Sequence, residues 1–136
     1  MRVFLDANVL FSASNPDSNI ARLVEWLIET ETAVSSDLAV EEARRNLMLK
    51  RPQWLEDFAS VRTHLELVPS TQFVLPVALD AKDVPLLCAA IAAKCQFFAT
   101  GDKKDFGHLD GKTVLGVDVI SLVGLARLLA AKRPRG

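Results

Sequence analysis

Short apolar runs alternate with segments of helical periodicity along this chain, and that alternation restricts its fold more than any other feature. Val3-Phe4-Leu5 and Phe97-Phe98-Ala99 are wholly apolar, as strands are when both faces of their sheet are covered. Thr32 to Ser35, Leu65-Glu66-Leu67-Val68 and a stretch within Val114 to Ile120 complete the candidate strands. Between them lie helical patterns. Apolar residues recur at 20, 23, 24, 27 and 28. Ser36 or Asp37 is placed to cap a helix to about Lys50, and Pro52 to open another through Leu55, Phe58 and Val61. Asp83 is placed to cap a helix running to Lys94, with Pro85 in its first turn, and Ser121 one from Leu122 to Ala131. Ser14 to Ser18 and Pro69 to Lys82 read as loops. The alternation predicts an α/β fold with a parallel sheet covered on both faces.

The chain has 136 residues, half of them apolar. That is enough to bury roughly two-thirds of the unfolded surface in one core, so residues 1–136 are expected to form one domain, with a basic tail over 132–136 that frays. No run is long enough to span a membrane, and an acid as early as Asp6 does not fit a signal peptide. A cytoplasmic protein is the expectation. Cys88 and Cys95, seven apart in a helical pattern, read as reduced core residues on one face. His64 and His108 stand alone. Serine-hydrolase, zincin and P-loop motifs are missing.

The remaining chemistry lies in acids. Ligands of open α/β sheets bind beyond the carboxyl ends of the strands. Asp6 ends the first strand, Asp102 follows the Phe97–Ala99 strand, Asp83 begins a helix, and Asp105 lies one turn after Asp102. Each has a plainer reading as a cap or turn residue, and Asp6 is the hardest to explain that way. On the helical wheel Glu42 falls between Leu38 and Leu49, toward an inward or cleft side, whereas Glu41 faces Arg45 at i,i+4. If Asp6, Glu42, Asp83 and Asp102 meet, they require protons or a cation. Hard oxygen ligands favour magnesium or manganese, which can activate water in phosphodiester cleavage.

Four segments resemble the motifs of PIN-domain nucleases, in order and over residues 2 to about 129. They are Phe4-Leu5-Asp6-Ala7-Asn8-Val9-Leu10, Ser36 to Leu47 with Glu42 in the acidic slot, Lys82-Asp83-Val84-Pro85-Leu86-Leu87, and Phe97-Phe98-Ala99-Thr100-Gly101-Asp102-Lys103-Lys104-Asp105-Phe106. The resemblance implies a three-layer α/β/α sandwich and a metal-dependent ribonuclease, with RNA as substrate. Many bacterial members are VapC-type toxins paired with an antitoxin protein. By position, Asp6, Glu42, Asp83 and Asp102 would be the metal-binding acids and Asp105 an accessory. Asn8 and Thr100 would position a carboxylate, a water or a phosphate. One departure is Gln96, where many members carry an acid.

Lys103, Lys104 and Arg45 are candidate phosphate contacts. A haloacid-dehalogenase-type phosphatase also starts with an aspartate after an apolar strand, but its DxD pattern would need an acid where Asn8 stands. A non-catalytic RNA-binding module of the same fold is the other alternative. Family members commonly dimerise, and Ile20, Leu23, Val24 and Trp26 suggest a helix with spare apolar surface for a homodimer.

Overall fold

The computed structural model describes residues 1–132; of the tail expected to fray, 133–136 lie outside the described residues. Five of the six strands run parallel: β1 (Arg2–Leu5), β2 (Thr32–Ser36), β3 (Glu66–Val68), β4 (Phe97–Ala99) and β6 (Val117–Ile120). The sixth, β5 (Thr113–Val114), pairs antiparallel with β6. The order across the sheet is β3-β2-β1-β4-β6-β5. Successive side chains of a strand point to opposite faces, and Val3, Phe4 and Leu5 are all fully buried, so helices cover both faces. This is the three-layer arrangement expected. Phe4 and Phe98 stack with ring centres 5.3 Å apart across the β1–β4 pair, and Phe106 packs on Phe98 at 4.9 Å.

The helices form where the periodicity places them, with instructive exceptions. Residues 7–13, which have no clear pattern, form helix α1 (Ala7–Ala13) directly after β1. Helix α2 (Asn19–Thr30) starts at Ser18, whose hydroxyl accepts from the Ala21 amide, and α3 (Asp37–Lys50) starts likewise at Ser36. A 3₁₀ turn at Pro52–Trp54 precedes α4 (Leu55–Thr63). Helix α5 (Val84–Ala92) ends two residues before Lys94, the end expected. Lys94 adopts φ 57° and the Cys95 amide reaches back to the Ala90 carbonyl, a Schellman stop built without glycine. Cys95 therefore lies beyond the helix rather than on one face with Cys88, though both are buried and reduced. Helices α6 (Lys103–Phe106) and α7 (Leu122–Ala131) complete the set.

On helix α2, Val24 is in the core, and Ile20, Leu23 and Trp26 are half-buried against it. Lys132, assigned to the fraying tail, pairs with Glu31 at 3.1 Å. Among the described residues, no helix is long and apolar enough to cross a membrane.

Strand β5 exists because Leu115 and Gly116 both take positive φ, 46° and 88°, between the paired Val114 and Val117. That is a two-residue hairpin turn of the I′ kind, which favours Asn-Gly over Leu-Gly. Leu115 is 55% exposed, so the left-handed backbone is strained with little burial in return. Leu115→Asn should relieve about 1 kcal/mol and raise the melting temperature by roughly 3 °C. A thermal melt showing no rise would mean that the turn is not strained as described.

Candidate active site

The strand order reverses direction at β1: β2 lies on one side of it and β4 on the other. A crevice opens at such a switch point, beyond the strand ends. Asp6 follows β1 and Asp102 follows β4, so the two acids stand on either side of it. Helix α3 brings Glu42 to the same groove, and the turn into α5 brings Asp83. The groove has a volume of about 310 Å³ and is also lined by Asn8, Phe11, Ser12, Asn46, Lys50 and Lys82.

A hydrogen-bond knot ties the ends of β1 and β4 together. The Ala7 amide donates to Asp6 Oδ1 at 2.7 Å. Thr100 Oγ1 and Asn8 Nδ2 donate to Asp6 Oδ2 at 2.8 and 3.1 Å. Asn8 Oδ1 accepts from the Gly101 amide at 2.9 Å, and Thr100 Oγ1 accepts from the Asp102 amide at 3.0 Å. Asn8 and Thr100 thus hold the Asp6 carboxylate and shape the Thr100–Asp102 turn. Burial nonetheless pushes the Asp6 carboxyl up to about 6, against the lowering effect of the Thr100 and Ala7 hydrogen bonds.

Asp83 does not cap α5. Its backbone is already in the helical region and its side chain makes no cap bond. Asp80 starts the turn instead, accepting from the Lys82 amide through Oδ1 and from the Asp83 and Val84 amides through its carbonyl. That frees the Asp83 carboxylate for the groove, where Oδ2 is buried and no donor reaches it. Asp83 is 6% exposed and lines the groove. Desolvation, a hydrogen bond shared with Asp105 and the Asp6 charge raise it to about 7.

Asp102 caps α6, its Oδ1 accepting from the Asp105 amide at 3.0 Å, as the plainer reading of that residue expects. Capping leaves the rest of the carboxylate free. One oxygen each from Asp83, Asp102 and Asp105 lie within 4.8 Å of one another. Lys82 Nζ stands 3.2 Å from Asp105 Oδ2 and holds that carboxyl below the usual carboxylate range. The buried orphan oxygen and an all-carboxylate donor set fit a hard divalent cation such as magnesium or manganese.

The sequence reading of the basic residues needs correction. Glu41 pairs with Arg44 at i,i+3, Nε to Oε2 2.9 Å, rather than with Arg45. Arg45, Lys103 and Lys104 are exposed, and none of them lines the acidic groove. The cations there are Lys50 and Lys82. Their signal was available: Glu42, Asn46 and Lys50 follow at i, i+4 and i+8 on one helix face, and Lys82 immediately precedes Asp83.

An acid with a raised folded-state pKa holds its proton to higher pH than the unfolded chain does. Such a group is neutral toward stability below about pH 4, and it destabilises the fold increasingly as pH rises through the folded value. For Asp83 that window runs from about 4 to about 7. In EDTA, Asp83→Asn should therefore melt roughly 5 °C above the wild type at pH 8, corresponding to about 1–2 kcal/mol for a carboxyl at the edge of an open groove. The gap should close near pH 4. Parallel curves across this range would show that Asp83 carries no such penalty.

No protein-family model and no curated protein sequence matches the chain. Solved structures do. The chain is similar to a structure of VapBC2 from Rickettsia felis bound to a DNA fragment from their promoter, with a TM-score of 0.65 and 15% identity over 89% of this chain and 98% of the other. It is also similar to a PilT N-terminus domain protein from the hyperthermophilic archaeon Sulfolobus solfataricus P2, with a TM-score of 0.57 and 15% identity over 100% of this chain and 99% of the other. The chain has the PIN-domain, VapC-like fold.

Proposed function

We propose that the chain is a metal-dependent endoribonuclease and the toxin of a toxin–antitoxin pair, working in the cytoplasm. The observation that carries this reading is Asp83 Oδ2, buried without a donor beside Asp102 and Asp105. Asp6, Glu42, Asp83 and Asp102 would hold magnesium or manganese, with Asp105 as an accessory that must give up Lys82. Bound there, the ion would polarise water and a phosphate oxygen of RNA. Asn8 and Thr100 aim the Asp6 carboxylate through their hydrogen bonds, and the Thr100 bond offsets part of the effect of burial. Lys82, released from Asp105, is in place to meet a phosphate.

Asn8 also weighs against the phosphatase alternative. That chemistry needs a proton donor at this position, and both ends of the Asn8 amide are committed, to Asp6 and to Gly101. The likeness to a VapBC structure supports an antitoxin protein as partner. Homodimerisation is what the family resemblance implies, and the half-buried Ile20 and Leu23 of α2 leave apolar surface for it.

Purified, EDTA-treated protein should cleave single-stranded RNA only after magnesium or manganese is restored. Glu42→Gln should lower the rate about a hundredfold, while Glu41→Gln, on the outer side and paired with Arg44, should stay within about twofold of wild type. Undiminished cleavage in excess chelator would contradict the proposal.

A further inference from the structure

Helix α3 gives the groove a direction. Glu42, Asn46 and Lys50 all line it, and eight helical residues carry the row about 12 Å away from the acids. The row begins with a carboxylate, passes an amide and ends with an ammonium. Lys50 has no acidic partner among the described residues. Phe11 of α1 lines the same groove and meets Trp54, half-buried beyond the groove lining, edge-on with ring centres 5.8 Å apart. The Arg51 guanidinium lies 5.6 Å from the Trp54 ring centre. A free cation followed by an aromatic ring beside an arginine is the combination that single-stranded nucleic acid uses: the cation takes a phosphate, and a base stacks on the ring or the guanidinium plane. A duplex has no unstacked base to offer such a platform.

We propose that this groove and the surface just beyond it form a track for single-stranded RNA, in which Lys50 in the groove binds a backbone phosphate and the Trp54–Arg51 pair outside the groove stacks a base a few nucleotides from the cleaved bond. The proposal rests on the ribonuclease reading for the location of that bond, and it adds the residues that bind the strand away from it. The acids repel RNA at one end of the groove and Lys50 attracts it at the other, so the strand is anchored away from the reacting phosphate.

The test follows cleavage and binding together, with a fluorescein-labelled single-stranded RNA of about ten nucleotides, inside the usual range of single-strand sites, in manganese. Lys50→Ala and Trp54→Ala should each raise KM and Kd by about fivefold or more, with kcat within about twofold. Lys50→Ala should also reduce the slope of log affinity against log salt by about one. Trp54→Phe keeps a stacking ring and should restore most of the affinity, which separates lost stacking from a damaged fold. Wild-type KM and Kd in both alanine variants, with cleavage intact, would overturn the track and leave the nuclease reading standing. Weakened binding by these variants in a protein that cleaves no RNA would uphold the track and overturn the nuclease reading. Normal RNA binding by variants that fail to bind an antitoxin protein would make the groove a protein interface and overturn the track.

Discussion

Negative charge gathered at the sheet's switch point is the constraint on which the rest of this molecule depends. Asp6 and Asp83 are both buried, and burial raises both carboxyls. Asp6 is compensated by three neutral donors, Ala7, Asn8 and Thr100. Asp83 Oδ2 has none. A carboxylate left without donors costs stability unless a proton or a cation joins it. The fold therefore gives up stability where these carboxylates gather, a pattern that functional sites share.

The core resists that repulsion through rigid attachment. Asp6 follows directly on Val3-Phe4-Leu5, which is fully buried. Asp102 and Asp105 sit on α6, whose Phe106 ring packs against Phe98, itself stacked on Phe4. One aromatic column thus fixes the elements that carry acids from residues 6, 102 and 105. The Asn8–Gly101 and Thr100–Asp102 bonds then lock the loops above it. Helix α3 packs on α1 through a buried face that includes Ala39, Ala43 and Leu47, and this contact turns Glu42, Asn46 and Lys50 into the groove.

Most of this was legible in the sequence, because periodicity and capping residues report burial directly. The strands at 2–5 and 97–99 are too apolar to be anything but buried, and Ser36 and Ser121 are true caps. What the sequence hid was local chemistry settled by distant contacts. Helix α1 has seven residues and no cap signal distinct from the site acid itself. The stop at Ala92 uses Lys94 where glycine would have announced it, and the β5 hairpin turns at a leucine. Asp83 looks like a cap, but Asp80 has already begun the turn. Glu42 does face the groove, though not for the reason its wheel neighbours suggested. Leu38 and Leu49 are 45% and 82% exposed, and the small buried residues Ala39 and Ala43 set the phase instead. Large apolar side chains were the wrong guide on a helix that packs closely through alanines.

Crystals grown in chelator and then soaked in manganese would reveal, in an anomalous difference map, whether the converging carboxylates hold a divalent cation. The expected result is a peak in contact with Asp83 Oδ2 and an oxygen of Asp102, with Lys82 drawn away from Asp105. A map that shows no peak in the groove at millimolar manganese, with Lys82 still on Asp105 and Asp83 Oδ2 still without a partner, would contradict it.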